Sequence, residues 1–357
     1  MQRLLYVSAL RQGLPRSGRI MRSELILNAL RGMYQVSLAT PELGPPLDSA
    51  FDVVHVFRLA AFPLAKPYLS TAGRRHLDLD DIESRTHRRI EAIARANAHA
   101  EVAAWAQAES RRFELLEIAA FRKFDRVYVC SEADRTSMAA RCPVELRVLP
   151  NVVRLQEPPP RPPQRSPDEP FRFLFIGTMD YYPNFDAYHW FCNEVLPILR
   201  RMARANFIVE VAGFESAGRL EPHESVCLAG EVPDVRPLYE RAHAVIVPLR
   251  AGGGTRIKIL EAFAFGRPVI STTIGVEGIE ATPDRDILLA DSPEAFAAGC
   301  AELISNPDLG RHLAWNALRL MQEHYSESAL RRIVESLPEA RIASEFEASQ
   351  RAGPAQE

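Results

Sequence analysis

The stretch "AVIVPLRAGGGTRIKILEAFAFGRPVISTT" (Ala244–Thr273) runs from an apolar segment through three glycines and an amphipathic segment into a second apolar run. It reads as strand, loop, helix and strand, the repeating unit of a parallel sheet covered by helices. Its cations are out of place. Helix N-termini carry partial positive charge, yet Arg256 and Lys258 fall on what reads as the first helical turn. An anion at the loop resolves the conflict. Gly252, Gly253 and Gly254 can expose backbone N–H groups and take positive φ. Thr255 is the expected N-cap, and the helix N-terminus points at the same place. A diphosphate carries enough charge to engage both cations; a flexible loop with two solvated cations is the plainer reading. Glu261, one turn beyond Lys258, reads either as an ion-pair partner of that lysine or as a carboxylate that takes ribose hydroxyls.

Outward from this unit the alternation continues. In the second half "FRFLFIGT", "FIVEVAG", "VCLAGEV", "PVISTT" and "DILLAD" are further strands, with helices near 185–204, 237–242 and 256–265. Residues 292–348 are mostly helical and "RAGPAQE" is a frayed tail. In the first half "RLLYVSAL" (3–10), "QVSLAT", "FDVVHVF" (51–57), "FDRVYVCS" and "LRVLP" are strands. A loop with Gly13, Pro15 and Gly18 leads to a helix near 21–30, and residues 83–124 form a long helical region broken near Asn97. Between the halves, "VRLQEPPPRPPQRSPDEP" (Val153–Pro170) holds seven of the 27 prolines and reads as an extended connector. The expected fold is α/β, two Rossmann-like domains facing a cleft, with C-terminal helices. The expected boundaries are 1–152, a linker at 153–170, 171–325, and a C-terminal helix and tail at 326–357.

With 357 residues, 47% hydrophobic and 25% charged, the chain can bury two sizeable cores. No apolar run approaches the ~20 residues of a membrane span. The opening "MQRLLYVSALRQGLPRSG" reads as a buried strand and loop rather than a signal peptide. Cysteines 130, 142, 192, 227 and 300 show neither CxxC nor metal-ligand spacing, so reduced core thiols in a cytoplasm are expected. Residues 1–150 carry 22 basic and 17 acidic side chains, against an overall net charge of −3. That excess is too small and dispersed for a nucleic-acid footprint, but it suits an anionic membrane surface or acceptor.

"GGGTRIKILEAFAFGRPVIST" resembles the donor-site segment of the family-four retaining glycosyltransferases, which have the GT-B fold. "IGTMDYYPNFDAYHWFCNEVLP" resembles the first strand–loop–helix of their C-terminal domain, and "VLPNVV" the asparagine-bearing stretch before their interdomain linker. "LPRSGRIMRSELILNAL" and "LDLDDIESRTHRRI" resemble a bacterial branch involved in polysaccharide assembly. The similarity runs from near residue 3 to near residue 325. By this resemblance Glu261 is the second glutamate of an E-x7-E motif and holds the nucleoside ribose, while Arg256 and Lys258 serve the diphosphate. The first glutamate falls on Gly253, and the basic pair usual after the first strand of this domain is absent, with Asn184 of "YYPNFD" in its place. Gly18 matches a glycine loop at the donor, and Arg19 faces the donor phosphate or a phosphorylated acceptor.

"LDLDDIES" (77–84) has several readings. Asp78, Asp80 and Asp81 resemble the DxD metal site of the other glycosyltransferase fold and the nucleophile motif of haloacid-dehalogenase phosphatases. Both normally follow a strongly apolar strand, whereas "STAGRRH" is a poor one. The family-consistent view puts Asp78 and Asp81 on the acceptor side, with Asp80 as general base or orienting carboxylate; a helix-capping cluster is the plain alternative. His55, inside an apolar strand, reads as a core histidine. The resemblance therefore implies a metal-independent retaining glycosyltransferase with no cofactor. It takes a nucleotide-diphosphate sugar as donor and a saccharide or lipid-linked acceptor in surface or exopolysaccharide synthesis. It binds no nucleic acid and is cytoplasmic, with peripheral contact at the inner membrane face. A sugar-nucleotide epimerase or a non-catalytic nucleotide-sugar-binding protein on the same architecture are the alternatives.

Overall fold

The eleven apolar runs named above all become strands in the computed structural model, and a twelfth joins them. Residues 1–10, 18–44, 50–155, 163, 165–166, 168–214 and 220–337 are described. Half of the proline-rich connector, Gly13 and Pro15 of the first loop, and the tail beyond Leu337 lie outside them. By contacts the chain divides into two compact units. The first gathers Met1–Ile82, Arg111–Val152 and the described residues from Tyr325 on; the second gathers Glu83–Ser110 and Val153–His324.

In the first unit the strands are β1 (Arg3–Ser8), β2 (Gln35–Ala39), β3 (Val53–Phe57), β4 (Arg74–Asp78), β5 (Arg126–Val129) and β6 (Glu145–Val148). They pair in parallel in the order β2-β1-β3-β4-β5-β6. Successive side chains leave a strand on opposite faces, so a strand covered on both sides is apolar throughout. Leu5, Val54, Val56, Leu77 and Val127 form one core with Ala120 and Phe121 of the helix Ala100–Phe121. Leu4, Tyr6, Val53 and Tyr128 form the other with Leu25 and Ile26 of α1 (Gly18–Arg31) and Leu330 and Val334 of the last helix.

β4 corrects the reading of "STAGRRH" as a poor strand. Its outer residues are polar because the sheet gives them partners. Arg75 donates to Asp125 from its backbone N–H at 2.8 Å and from its side chain. His76 is buried against Tyr128 and His55, with ring centroids 5.6 and 6.1 Å apart. His55 itself stacks on Tyr6 at 5.4 Å, and burial pushes both histidines well below their usual range, holding them neutral.

The second unit repeats the plan with β7 (Phe171–Ile176), β8 (Phe207–Ala212), β9 (Val226–Gly230), β10 (Ala244–Val247), β11 (Val269–Ser271) and β12 (Leu288–Leu289). Their order is β12-β11-β10-β7-β8-β9, all parallel. The chain runs outward from β7 through β8 to β9, then returns to place β10 on β7's other side. The pair β7–β10 is thus a topological switch point, where ligands of open α/β sheets bind beyond the strands' carboxyl ends. The helix expected over 185–204 runs from Tyr182 to Met202 with a π turn at Phe191–Val195. After α2 (Phe62–Leu69) of the first unit, α3 (Glu83–Ala96) and the first half of α4 (Ala100–Phe121) belong to this unit too, separated near Asn97 as expected.

All five cysteines are free; four are buried and Cys227 is exposed. Among the described residues no helix is long and apolar enough to cross a membrane.

Candidate active site

The switch point of the second unit carries the triple glycine. β10 ends at Val247, and the helix that follows the loop is Ile257–Ala264. Gly252 and Gly254 take φ of +122° and +65°, values that side chains resist. Gly252 also needs its bare Cα for space: a Cβ there would lie 2.9 Å from Arg256 Nη2 and 3.2 Å from the Tyr181 hydroxyl.

Thr255 is not the N-cap. Arg256 occupies that position, with extended φ and ψ of −81° and 97°, and its carbonyl accepts from Ile259 N–H at 2.9 Å. Thr255 turns inward instead, is 8% exposed, and its Oγ1 has no hydrogen-bond partner. The reason lies in Arg256, whose side chain folds back so that Nη1 donates to the carbonyls of Gly253 and Gly254. Arg256 is 8% exposed and its Nη2 is buried without a partner. An unsatisfied buried donor costs about 1–3 kcal/mol.

Lys258 extends from the helix toward the end of β7. Its Nζ donates to Asn184 Oδ1 at 2.9 Å and lies 5.4 Å from the Phe175 ring centroid. Asn184 is fixed by donating to Thr178 O at 2.9 Å, packed so closely on Gly177 that a Cβ there would overlap it. Burial, reinforced by Arg256, lowers the Lys258 pKa to about 7. Glu261 accepts at Oε2 from the Tyr239 hydroxyl at 2.9 Å. Burial beside Glu261 keeps Tyr239 protonated well above its usual range, so it remains a donor. The structure thus brings Gly252, Gly253, Gly254, Thr255, Arg256, Lys258 and Glu261 together with Asn184.

Sequence reasoning missed the groups that hold this loop. Arg250, at its start, is paired with Asp186 at 2.6 Å, and Asp186 also accepts from Asn97 at 2.6 Å. Arg89 of α3 donates to Gly252 O at 3.0 Å and engages both oxygens of Glu277. Tyr239 was likewise not singled out. No local signal marks these contacts, because the partners lie up to 188 residues apart.

The acidic cluster is in the first unit and has other company. Asp78 is fully buried, and Arg22 Nη2 donates to its two oxygens at 2.9 and 3.0 Å. Arg22, 1% exposed, also donates to Asn151 Oδ1 and Leu149 O. Asp80 follows β4 with φ +59°, 2.8 Å from Arg58 Nη1 and 3.5 Å from Arg22 Nε. Asp81 is half-buried, with its N–H on Leu79 O. Gly18 opens α1, and Arg19 is exposed on its first turn. Among the described residues no group of three or more His, Cys, Asp or Glu is placed to hold a metal ion.

Residues 170–306, which contain the whole loop, match the family model described as Glycosyl transferases group 1. The match lies wholly within the second unit. The chain is similar over nearly its whole length to sucrose-phosphate synthase from Thermosynechococcus elongatus, at 14% identity, with a TM-score of 0.72 over 96% of this chain and 100% of that one. It is also similar to HepE from Anabaena, solved with UDP-glucose, at 13% identity and TM-score 0.66, covering 97% of this chain and 100% of that one. These likenesses give the fold, the two-domain α/β architecture of GT-B glycosyltransferases. In sequence, an uncharacterized 44.6 kDa protein in the cps region of Klebsiella pneumoniae is 23% identical over 163 residues, 43% of this chain. The chain matches only 42% of that relative's length.

Proposed function

We propose that the protein is a retaining glycosyltransferase that moves a sugar from a nucleoside diphosphate to a saccharide or lipid-linked acceptor. The match to the group 1 family model supports this class. The observation that carries the reading is the loop at the switch point, where the Nη2 of Arg256 is buried without a partner and Lys258, two residues on, holds its Nζ on Asn184. Diphosphate is the leaving group, and charge develops there as the bond to the sugar breaks, so fixed cations are worth most at that point. Glu261, oriented by Tyr239, holds the ribose hydroxyls. Gly18, Arg19 and Asp80 belong to the first unit, and in this reading Asp80 is the carboxylate that orients the acceptor. The structure of HepE with UDP-glucose supports a donor of this chemical class, and the cps-region relative supports a role in polysaccharide assembly. The reaction is metal-independent in this reading, because the two cations do the work a metal would do. The reading places the enzyme in the cytoplasm, and the basic excess of residues 1–150 suits contact with an anionic membrane surface or acceptor.

Incubation with a panel of nucleotide sugars in the presence of EDTA tests this. Free nucleoside diphosphate is expected to be released from one of them. Loss of that release in EDTA, restored by manganese, would return the chemistry to a metal; a changed sugar still on its nucleotide would mean epimerisation; binding without turnover would mean a binding protein.

Lys258 gives the site a pH signature. In the free protein its pKa is about 7, and a bound diphosphate raises it. Binding above pH 7 therefore requires proton uptake, and the complex is favoured on the acid side. Nucleoside diphosphate affinity should fall between pH 7 and 9, by at most about tenfold per unit for one proton. Calorimetry in buffers of different ionisation enthalpy should show the uptake, and Lys258→Met should abolish both. A pH-independent affinity in the wild type would remove Lys258 from the site.

A further inference from the structure

We propose that Arg89 is a positioning residue for the donor loop, holding the triple glycine in the conformation that receives the diphosphate. The inference rests on the reading of that loop as the donor site, but Arg89 itself lies outside the residues that match the family model. Arg89 sits in the middle of α3, and α3 packs in the second unit. Its Nη1 donates to Gly252 O at 3.0 Å, while Nη1 and Nη2 grip the Glu277 carboxylate, Nη2 at 2.9 Å from Oε1. Arg85, one turn earlier on α3, lies 3.8 Å from the same carboxylate. Glu277 caps the short helix Thr273–Val276 that follows β11, the strand beside β10. The guanidinium therefore ties a fixed point beyond β11 to the first glycine of the loop.

The consequence is one of polarity. Gly252 O is taken by Arg89, and the carbonyls of Gly253 and Gly254 are taken by Arg256. Three consecutive carbonyls are thus drawn toward guanidinium groups, which leaves the N–H groups of the loop for an anion. Gly252 at φ +122° is the pivot, since Arg256 Nη2 lies against its open Cα. Peptide planes with glycine on both sides reorient at little cost, so this arrangement needs an outside tether. A planar fork that spans a carboxylate and a carbonyl together suits the task; an ammonium is a single point of charge and suits it less. Glu277 keeps its carboxylate ionised beside Arg89 and Arg85, below its usual range, so the tether persists through neutral pH.

The test pairs a readout on the free protein with one on the ligand. In Arg89→Ala, hydrogen exchange over 251–261 should accelerate without ligand, while exchange over β7 and β8 stays at the wild-type rate. Affinity for UDP, ADP or GDP, whichever the wild type binds, should fall by about three- to tenfold, the effect of losing one hydrogen bond's worth of order. Arg89→Lys should recover part of both effects, and Glu277→Gln added to Arg89→Ala should add little, because Glu277 acts through Arg89. Unchanged exchange over 251–261 in Arg89→Ala would overturn the proposal whatever the ligand result. Faster exchange with wild-type affinity would overturn it as well. Faster exchange in a protein whose wild type binds none of the three nucleotides would uphold the tether and reject the donor reading instead.

Discussion

Arg22→Met is expected to destabilise the first unit by about 3–5 kcal/mol, the loss seen when one partner of a buried ion pair is removed. Arg22 and Asp78 are 1% and 0% exposed, and the guanidinium bridges Asp78, Asn151 and Leu149 O. Methionine preserves much of the apolar stem but donates nothing, so Asp78 is left buried with no countercharge. Burial already pushes the Asp78 carboxyl upward, and without Arg22 it would rise further. A folded-state pKa above the unfolded one favours the protonated folded form, so the deficit of the variant should grow as pH rises through that pKa. Urea unfolding at pH 5 and pH 8 should therefore show the larger loss at pH 8. Adding Asp78→Asn removes the orphaned charge and should recover a large part of the loss. A single variant as stable as wild type, or a double variant no better than the single one, would contradict the network. A carboxylate held this way shapes the turn that presents Asp80, whose N–H donates to Asp78 Oδ1 at 3.0 Å.

The fold was legible wherever burial and periodicity agree. "AVIVPL" is apolar on both faces, ends at a glycine run and is followed by an amphipathic helix, so strand, loop and helix could each be read locally. β4 was not legible, because its polar residues are balanced by partners from elsewhere. Asp125 serves Arg75 from 50 residues away, and the rings of His55 and Tyr128 accommodate His76. Propensity also misplaced the cap of the helix Ile257–Ala264. Threonine is the better N-cap by its own chemistry, but the fold-back of Arg256 decides the local geometry. The cations and Glu261 could be found from their spacing, whereas Arg89, Glu277, Arg250 and Tyr239 belong to the site only through long-range contacts.

The second large effect concerns Glu261, and it bears on the central claim that the second unit holds a nucleoside diphosphate. Glu261→Gln keeps the size and an acceptor oxygen toward Tyr239, so the helix should remain intact. It removes the charge-assisted acceptor for the ribose hydroxyls. A hydrogen bond to a charged group contributes about 1.5–3 kcal/mol net, which corresponds to roughly a ten- to hundredfold change in dissociation constant. If the carboxylate served only as a partner for Lys258 on the helix, the change would cost a few tenths of a kcal/mol of stability and leave nucleotide binding alone. Calorimetric titration of UDP, ADP and GDP into folded Glu261→Gln beside wild type is the most direct measurement. The ribose role requires the wild type to bind at least one of them and the variant to bind it ten- to hundredfold more weakly; equal affinities in the two proteins would contradict it.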